Sequence, residues 1–383
     1  MYGQSLYQCL AYVPVSHVGY GWVGTCVNIL ENFPGNILAP TIVLPRAFRA
    51  VAPTVCVKQA SPPLLPYRVV SRFAQFSVER QFQRAMSLAD PKRTIIYFWP
   101  APPISLVQRA RALGFLTVRE MINTCAVTST GIMAEAYYRL GLQAEGQPSD
   151  EAIADEIREL VMHDYIIAPS PRVEDSLVHI GIDRSKILRS SYGWNPSRFA
   201  GSISNGKRTS FTALFIGADS IRKGLPQLLA AWERSAVNGE LLINTSRTDA
   251  INHVLARYPN NTRVRFIDPT NDVGGQYRSA DVLVFPSLEE GDPLVTYEAA
   301  GCGLPVITTP MGSANIIRHG VNGLIVAPHD IEGLAKAISC LAGSAELRTQ
   351  FGLQAAHDAE DFTYDKVGKR RAVMLSRLLA DRR

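Results

Sequence analysis

From residue 212 onward the chain alternates short β-branched apolar runs with amphipathic stretches, and that alternation leaves few folds open. Residues 212–217, 240–245, 263–268, 281–286, 304–309 and 323–327 read as strands, with helices at 225–235 and 331–341 between them. Strands this apolar must be covered on both faces, which calls for a parallel sheet flanked by helices. The first half repeats the style less cleanly, at 8–15, 54–58, 94–99, 116–120, 164–168 and 186–191. A chain of 383 residues is about twice a typical domain, so the expected class is α/β, with two Rossmann-like domains facing across a cleft. The small, polar stretch 201–210 serves as the linker. That gives a first domain over 1–203, a second over 204–361, and a terminal helix, 362–383, that packs back on the first.

Open α/β sheets bind ligands outside the carboxyl ends of their strands. The loop leaving strand 281–286 is therefore the first place to look for chemistry, and it reads Phe285-Pro-Ser-Leu-Glu-Glu-Gly-Asp-Pro-Leu-Val-Thr-Tyr-Glu298. With Asp292 as N-cap and Pro293 in the first helical position, Leu294, Val295 and Thr296 present free N–H groups to phosphate or sugar oxygens. If Asp292 caps them tightly, part of that donor set is used. Glu290 and Gly291 precede this helix start and Glu298 follows it. The plain alternative for Glu298 is a solvated charge favoured by the helix dipole. Glu289 reads only as a neighbour. Arg222 and Lys223 come after a strand and the Gly217 turn and just before a helix, so both can reach the same crevice and meet negative charge there. The plain alternative is a surface pair.

In the first half, Gly19-Tyr-Gly-Trp-Val-Gly24 follows the first strand and fits a dinucleotide-binding fingerprint. No acidic residue follows at the distance that would hold an adenosine ribose. The turn reads better as the first βα loop of an acceptor domain, in which Gly19 and Gly21 let a substrate approach the backbone. His17 precedes it, as an acceptor contact or as a loop histidine with no role.

The net charge of +5 is unevenly spread: residues 1–130 hold twelve Lys and Arg against four acids. Such a domain suits an anionic membrane leaflet with a lipid-linked or saccharide acceptor, or is simply a solvated face. No basic run lies among stacking aromatics, which argues against nucleic acid. The six cysteines lack zinc or redox spacing and read as reduced thiols. No signal-peptide pattern or membrane span is evident, so a cytoplasmic place is expected, with peripheral contact at the inner face of the cell membrane.

The stretch 281–309, continuing through Gly320-Val-Asn-Gly-Leu-Ile-Val-Ala-Pro328, resembles the donor domain of the retaining glycosyltransferases of family four, which have the two-domain B-type fold. Phe215-Ile-Gly-Ala-Asp-Ser-Ile-Arg-Lys-Gly224 resembles the family's phosphate-binding loop, although Ala218 stands where relatives carry a further arginine. The resemblance implies transfer of a hexose-type sugar from a UDP- or GDP-sugar to a hydroxyl, with retention. Glu298 would hold the ribose hydroxyls, Glu290 would lie beside the transferred sugar, and Arg222 and Lys223 would serve the diphosphate. Asn123-Thr-Cys125 resembles a segment whose relatives have histidine after the threonine; a thiol cannot reproduce imidazole's donor and acceptor pair, so Cys125 reads as packing on the acceptor side. Asp-x-Asp is absent, which argues against metal-dependent A-type enzymes and for a reaction without a metal or cofactor. Three other readings stay open: a nucleotide-sugar epimerase or hydrolase of the same fold, an NAD-dependent oxidoreductase resting on Gly19–Gly24, and a binding homologue without activity.

Overall fold

A computed structural model describes residues 7–62, 67–144, 146–201, 210–218, 220–258, 263–270 and 272–382. The chain packs as two units. One comprises residues 1–122, 149–192 and 364–383, and the other residues 123–148 and 193–363. The polar stretch expected to link the domains falls mostly on 202–209, outside the described residues; the chain passes between units at Tyr192/Gly193. Residues 123–148, expected in the first domain, pack with the second unit.

The amino-terminal unit is built on seven strands: β1 (Tyr7–Tyr12), β2 (Leu38–Leu44), β3 (Cys56–Gln59), β4 (Thr94–Phe98), β5 (Leu116–Glu120), β6 (Tyr165–Ala168) and β7 (Ile187–Arg189). They form one sheet in the order β3-β2-β1-β4-β5-β6-β7, with every pairing parallel. β4 is buried at every residue, as a strand covered on both faces should be. Tyr12, Phe82 and Phe98 meet edge-on at the centre of its core, with ring centroids 5.2 and 6.0 Å from Tyr12.

β2 is absent from the sequence reading because Pro40 interrupts it, and a proline argues against an interior strand. The β2/β3 ladder starts only at Thr41↔Cys56. Pro40 therefore stands where β2 has β1 as its one neighbour, and no ladder to β3 is broken there.

The carboxy-terminal unit holds β8 (Phe211–Ile216), β9 (Gly239–Asn244), β10 (Val264–Phe266), β11 (Val282–Phe285), β12 (Val306–Thr308) and β13 (Gly323–Ile325), in the order β10-β9-β8-β11-β12-β13 and again all parallel. All six strands were legible in the sequence, with ends differing by at most two residues. Each sheet reverses its direction of winding once, between β1 and β4 in one and between β8 and β11 in the other. Loops leaving those strand pairs at their carboxyl ends diverge and leave a crevice.

The chain returns to the amino-terminal unit through the helix Tyr364–Ala380. Gly368 lets that helix come close to the helix Gly21–Glu31: a Cβ there would lie 2.8 Å from the Ile29 carbonyl oxygen. No helix among the described residues is long and apolar enough to cross a membrane.

Candidate active site

The loops after β8 and β11 leave adjacent strands, paired at Leu214↔Leu283, at the same edge of the carboxy-terminal sheet. Gly224 joins them. It caps the helix Leu225–Ser235 at φ 77°, and a Cβ there would lie 2.0 Å from the Pro286 carbonyl oxygen. The close approach lets the Leu288 N–H donate to the Arg222 carbonyl at 2.8 Å. Gly224→Ala is expected to cost about 2 kcal/mol or more, from left-handed backbone strain together with the clash, read as a lowered urea midpoint.

The two loops then interlock through their side chains. Lys223 Nζ donates to Glu290 Oε1, which also accepts from the Ser287 hydroxyl at 2.8 Å. Arg222 Nη1 lies 3.1 Å from Glu289 Oε2 and 3.7 Å from Glu290 Oε2. Glu289 is fully buried, and its second oxygen accepts from the Thr124 N–H (3.0 Å) and hydroxyl (2.8 Å). Burial, reinforced by Arg222, lowers the Lys223 pKa, and Glu290 opposes the shift. Two cations thus face two carboxylates in a largely buried site, where the sequence reading expects Arg222, Lys223 and Glu290 and takes Glu289 as a neighbour only.

The helix Leu294–Gly301 begins one residue later than expected. Pro293 is its cap, and Asp292 does not cap it. The Asp292 carboxylate instead accepts from the Tyr297 hydroxyl at 2.8 and 2.9 Å and from Asn315 Nδ2 at 3.4 Å, because a buried carboxylate takes the strongest donors within reach. The Thr296 N–H, expected to be free, donates to the Pro293 carbonyl at 3.2 Å. The N–H groups of Leu294 and Val295 have no partner among the described residues, which leaves two donors open at the positive end of the helix. Gly291 is buried in the turn before them.

Glu298, on the same helix, accepts from the Tyr277 hydroxyl at 2.9 Å, and burial raises its pKa. Gly217 lies against the Lys223 stem, where a Cβ would come 3.0 Å from Lys223 Cγ.

Thr124, Ser287, Glu289 and Tyr277 are the partners that sequence reasoning missed. Thr124 and Ser287 stood inside quoted motifs beside more conspicuous residues, and nothing in the spacing points to Tyr277. Cys125 is fully buried as the cap of the helix Ala126–Arg139, and its neighbour Thr124 ties it to Glu289, so the structure places it with the carboxy-terminal unit. His17, Gly19 and Gly21 belong to the amino-terminal unit. Gly19 and Gly21 adopt φ of 97° and 69°, and the helix Gly21–Glu31 starts inside the glycine motif.

Residues 210–344 match the family described as glycosyl transferases group 1. Among curated relatives, the chain is 34% identical over 122 residues to an exopolysaccharide phosphotransferase of Streptomyces coelicolor, a match covering 31% of this chain and 13% of that one. It is 33% identical over 124 residues to a D-inositol 3-phosphate glycosyltransferase of Streptomyces bingchenggensis, covering 32% and 27%. The chain therefore spans well under two thirds of either relative. Sucrose-phosphate synthase from Thermosynechococcus elongatus superposes with a TM-score of 0.75 at 18% identity, over 98% of this chain and 100% of that one. HepE from Anabaena, in complex with UDP and glucose, superposes with 0.69 at 15%, over 96% and 99%. Residues 210–344 thus resemble a glycosyl transferases group 1 domain, and the whole chain shares the fold of sucrose-phosphate synthase and HepE.

Proposed function

We propose that the protein transfers a hexose-type sugar from a nucleoside-diphosphate sugar, UDP- or GDP-linked, to a hydroxyl acceptor, with retention at the anomeric carbon and without a metal. The observation that carries this reading is the interlocked quartet of Arg222, Lys223, Glu289 and Glu290 beside the open N–H groups of Leu294 and Val295. An arriving diphosphate competes with Glu290 for Lys223. Glu290, released from the lysine, is then free to accept hydroxyls of the sugar. Glu298, steadied by Tyr277, accepts the two ribose hydroxyls in charge-assisted bonds. The bond from the anomeric carbon to the diphosphate breaks with its electron pair passing to phosphate oxygen, and the acceptor oxygen attacks from the same face. The acceptor proton goes to the leaving phosphate. Arg222, Lys223 and the helix start are the fixed charges that meet the developing anion. HepE, of the same fold, holds UDP and glucose, which supports a nucleotide-sugar donor here. Polysaccharide or glycolipid synthesis at the cytoplasmic face of a membrane is the setting this chemistry fits.

The test is thermal stabilisation by UDP, GDP, ADP and UDP-glucose, since a ligand bound only by the folded state raises stability with its concentration. One nucleotide series should shift the midpoint, and none doing so would overturn the reading. Glu298→Gln is expected to weaken that binding by about tenfold, the worth of a charge-assisted bond. Because burial holds the Glu298 pKa above its ordinary value and the ionised form binds ribose, wild-type affinity should fall as pH drops through that raised range. The Gln variant should not show that fall.

A further inference from the structure

We infer that the carboxy-terminal unit holds a second ligand site, a cavity that takes a small hydroxylated organic anion: a phosphate or carboxylate on a short polyol skeleton. The cavity measures about 330 Å³ and lies between the end of the helix Ala126–Arg139, the helices Leu225–Ser235 and Asp249–Leu255, and the start of the helix Ile331–Gly343. Its described lining residues all belong to that unit, and none is a member of the quartet Arg222, Lys223, Glu289 and Glu290.

The rim is cationic. Arg139 and Arg257 both line the cavity, and no described lining residue is acidic. Arg257 Nη2 donates to the Leu140 carbonyl at 2.8 Å and lies 3.3 Å from His253 Nε2, which fixes the guanidinium while its Nε and Nη1 have no partner among the described residues. Arg139 Nε pairs with Glu135 at 2.6 Å, but these side chains are 53% and 50% exposed, where water screens such a pair, and neither Nη of Arg139 has a partner among the described residues. Two guanidinium groups on one cavity, with no carboxylate lining it, repel each other. An anion between them removes that repulsion and gains charge-assisted bonds.

The wall calls for more than an anion. Gln227, which lines the cavity, is 8% exposed; its Nε2 donates to His329 Nδ1 at 3.1 Å, and its Oε1 has no partner among the described residues. An amide oxygen left in that state favours a ligand with a hydroxyl to donate. His329 lines the cavity too, from a left-handed turn (φ 62°) uncommon for a residue other than glycine. Burial and the charge of Arg139 lower its pKa, so the ring is neutral, and with Nδ1 accepting from Gln227 its proton sits on Nε2, as a donor. Pro226, Ala230 and Val254 supply an apolar surface for a carbon skeleton. Inorganic phosphate leaves that surface uncovered, and an uncharged polyol leaves the arginines unmatched. A hydroxylated organic anion meets both.

The probes are glycerol 3-phosphate and glycerate, their deoxy analogues propyl phosphate and propionate, and glycerol, each titrated into the full chain by calorimetry. Glycerol 3-phosphate or glycerate should bind about tenfold tighter than glycerol, the ratio one charge-assisted bond supplies, and about fivefold tighter than its own deoxy analogue, the worth of one neutral hydrogen bond. Whichever of the two binds tighter identifies the anion as phosphate or carboxylate. Arg139→Gln and Arg257→Gln, both at exposed side chains, should each weaken the anionic probes about tenfold. Gln227→Leu should erase the preference for the hydroxylated probe over its deoxy analogue, a ratio that does not depend on the variant's stability. Saturating UDP or GDP should leave the titration unchanged. No binding of any probe, equal binding of hydroxylated and deoxy anions, indifference to both arginine substitutions, or displacement by a nucleotide overturns the inference. The arginine and glutamine variants decide the matter even where no nucleotide binds, so this inference and the donor reading fail separately.

Discussion

Lys223→Met is expected to slow sugar transfer about 100- to 1,000-fold, the range seen when one fixed donor to a developing anion is removed. Two effects combine. In the proposed reaction the leaving diphosphate loses a compact charge, and Glu290, 5% exposed, loses Lys223 at its Oε1. Among the described residues it keeps the Ser287 hydroxyl and Arg222 at 3.7 Å. A nearly buried carboxylate left in that state destabilises the fold as well, so slower transfer alone would not separate chemistry from structure. The double variant Lys223→Met, Glu290→Gln, read against Glu290→Gln alone, makes the separation, because it removes one charge of each sign and leaves the Arg222–Glu289 pair intact. Its urea midpoint should return most of the way to wild type while transfer stays slow. Recovery of transfer together with stability would mean that Lys223 only holds Glu290 in place.

Much of the carboxy-terminal unit was legible because its signals are local. Strands buried on both faces write themselves as apolar runs, and the loops after β8 and β11 hold their chemistry within a few residues of one another. The helix Leu225–Ser235 agrees end to end with the expectation for 225–235. What the sequence did not show are choices made by partners distant along the chain. Glu289 and Glu290 look alike in sequence, yet Thr124 and Arg222 draw one inward while Lys223 and Ser287 take the other. Asp292 has the residue type and position of an N-cap, but Tyr297 and Asn315 outbid the backbone for it, a competition no spacing rule records. β2 failed for a related reason. Pro40 is a breaker only where both neighbouring strands are present, and the stagger of β3 is a property of the sheet.

The second large effect concerns stability. Arg371→Met is expected to cost about 3–5 kcal/mol, the usual consequence of leaving one member of a buried ion pair behind. Arg371 sits on the returning helix Tyr364–Ala380 and is 1% exposed, and its five N–H donors are matched by five contacts. Nη1 reaches the Tyr97 hydroxyl at 2.8 Å and Glu120 Oε2 at 2.9 Å; Nη2 reaches the Ser190 hydroxyl at 2.8 Å and the Ser191 carbonyl at 3.0 Å; Nε reaches Ser190 at 3.1 Å. Without it, Glu120 keeps Tyr97 as its one side-chain donor among the described residues, and its other oxygen already has no partner among them. Burial raises the Glu120 pKa even with the arginine present, and losing the arginine raises it further. Between the ordinary carboxylate range and that raised value, the folded variant holds a proton that the unfolded chain has released, so its stability falls as pH rises. The urea midpoint of Arg371→Met should therefore lie further below wild type at pH 7 than at pH 5. Adding Glu120→Met should recover much of the loss at pH 7, since a buried pair replaced on both sides by apolar groups leaves no charge unpaired. A uniform deficit at both pH values, unrelieved by the second substitution, would locate the cost in packing of the helix and not in the ion pair.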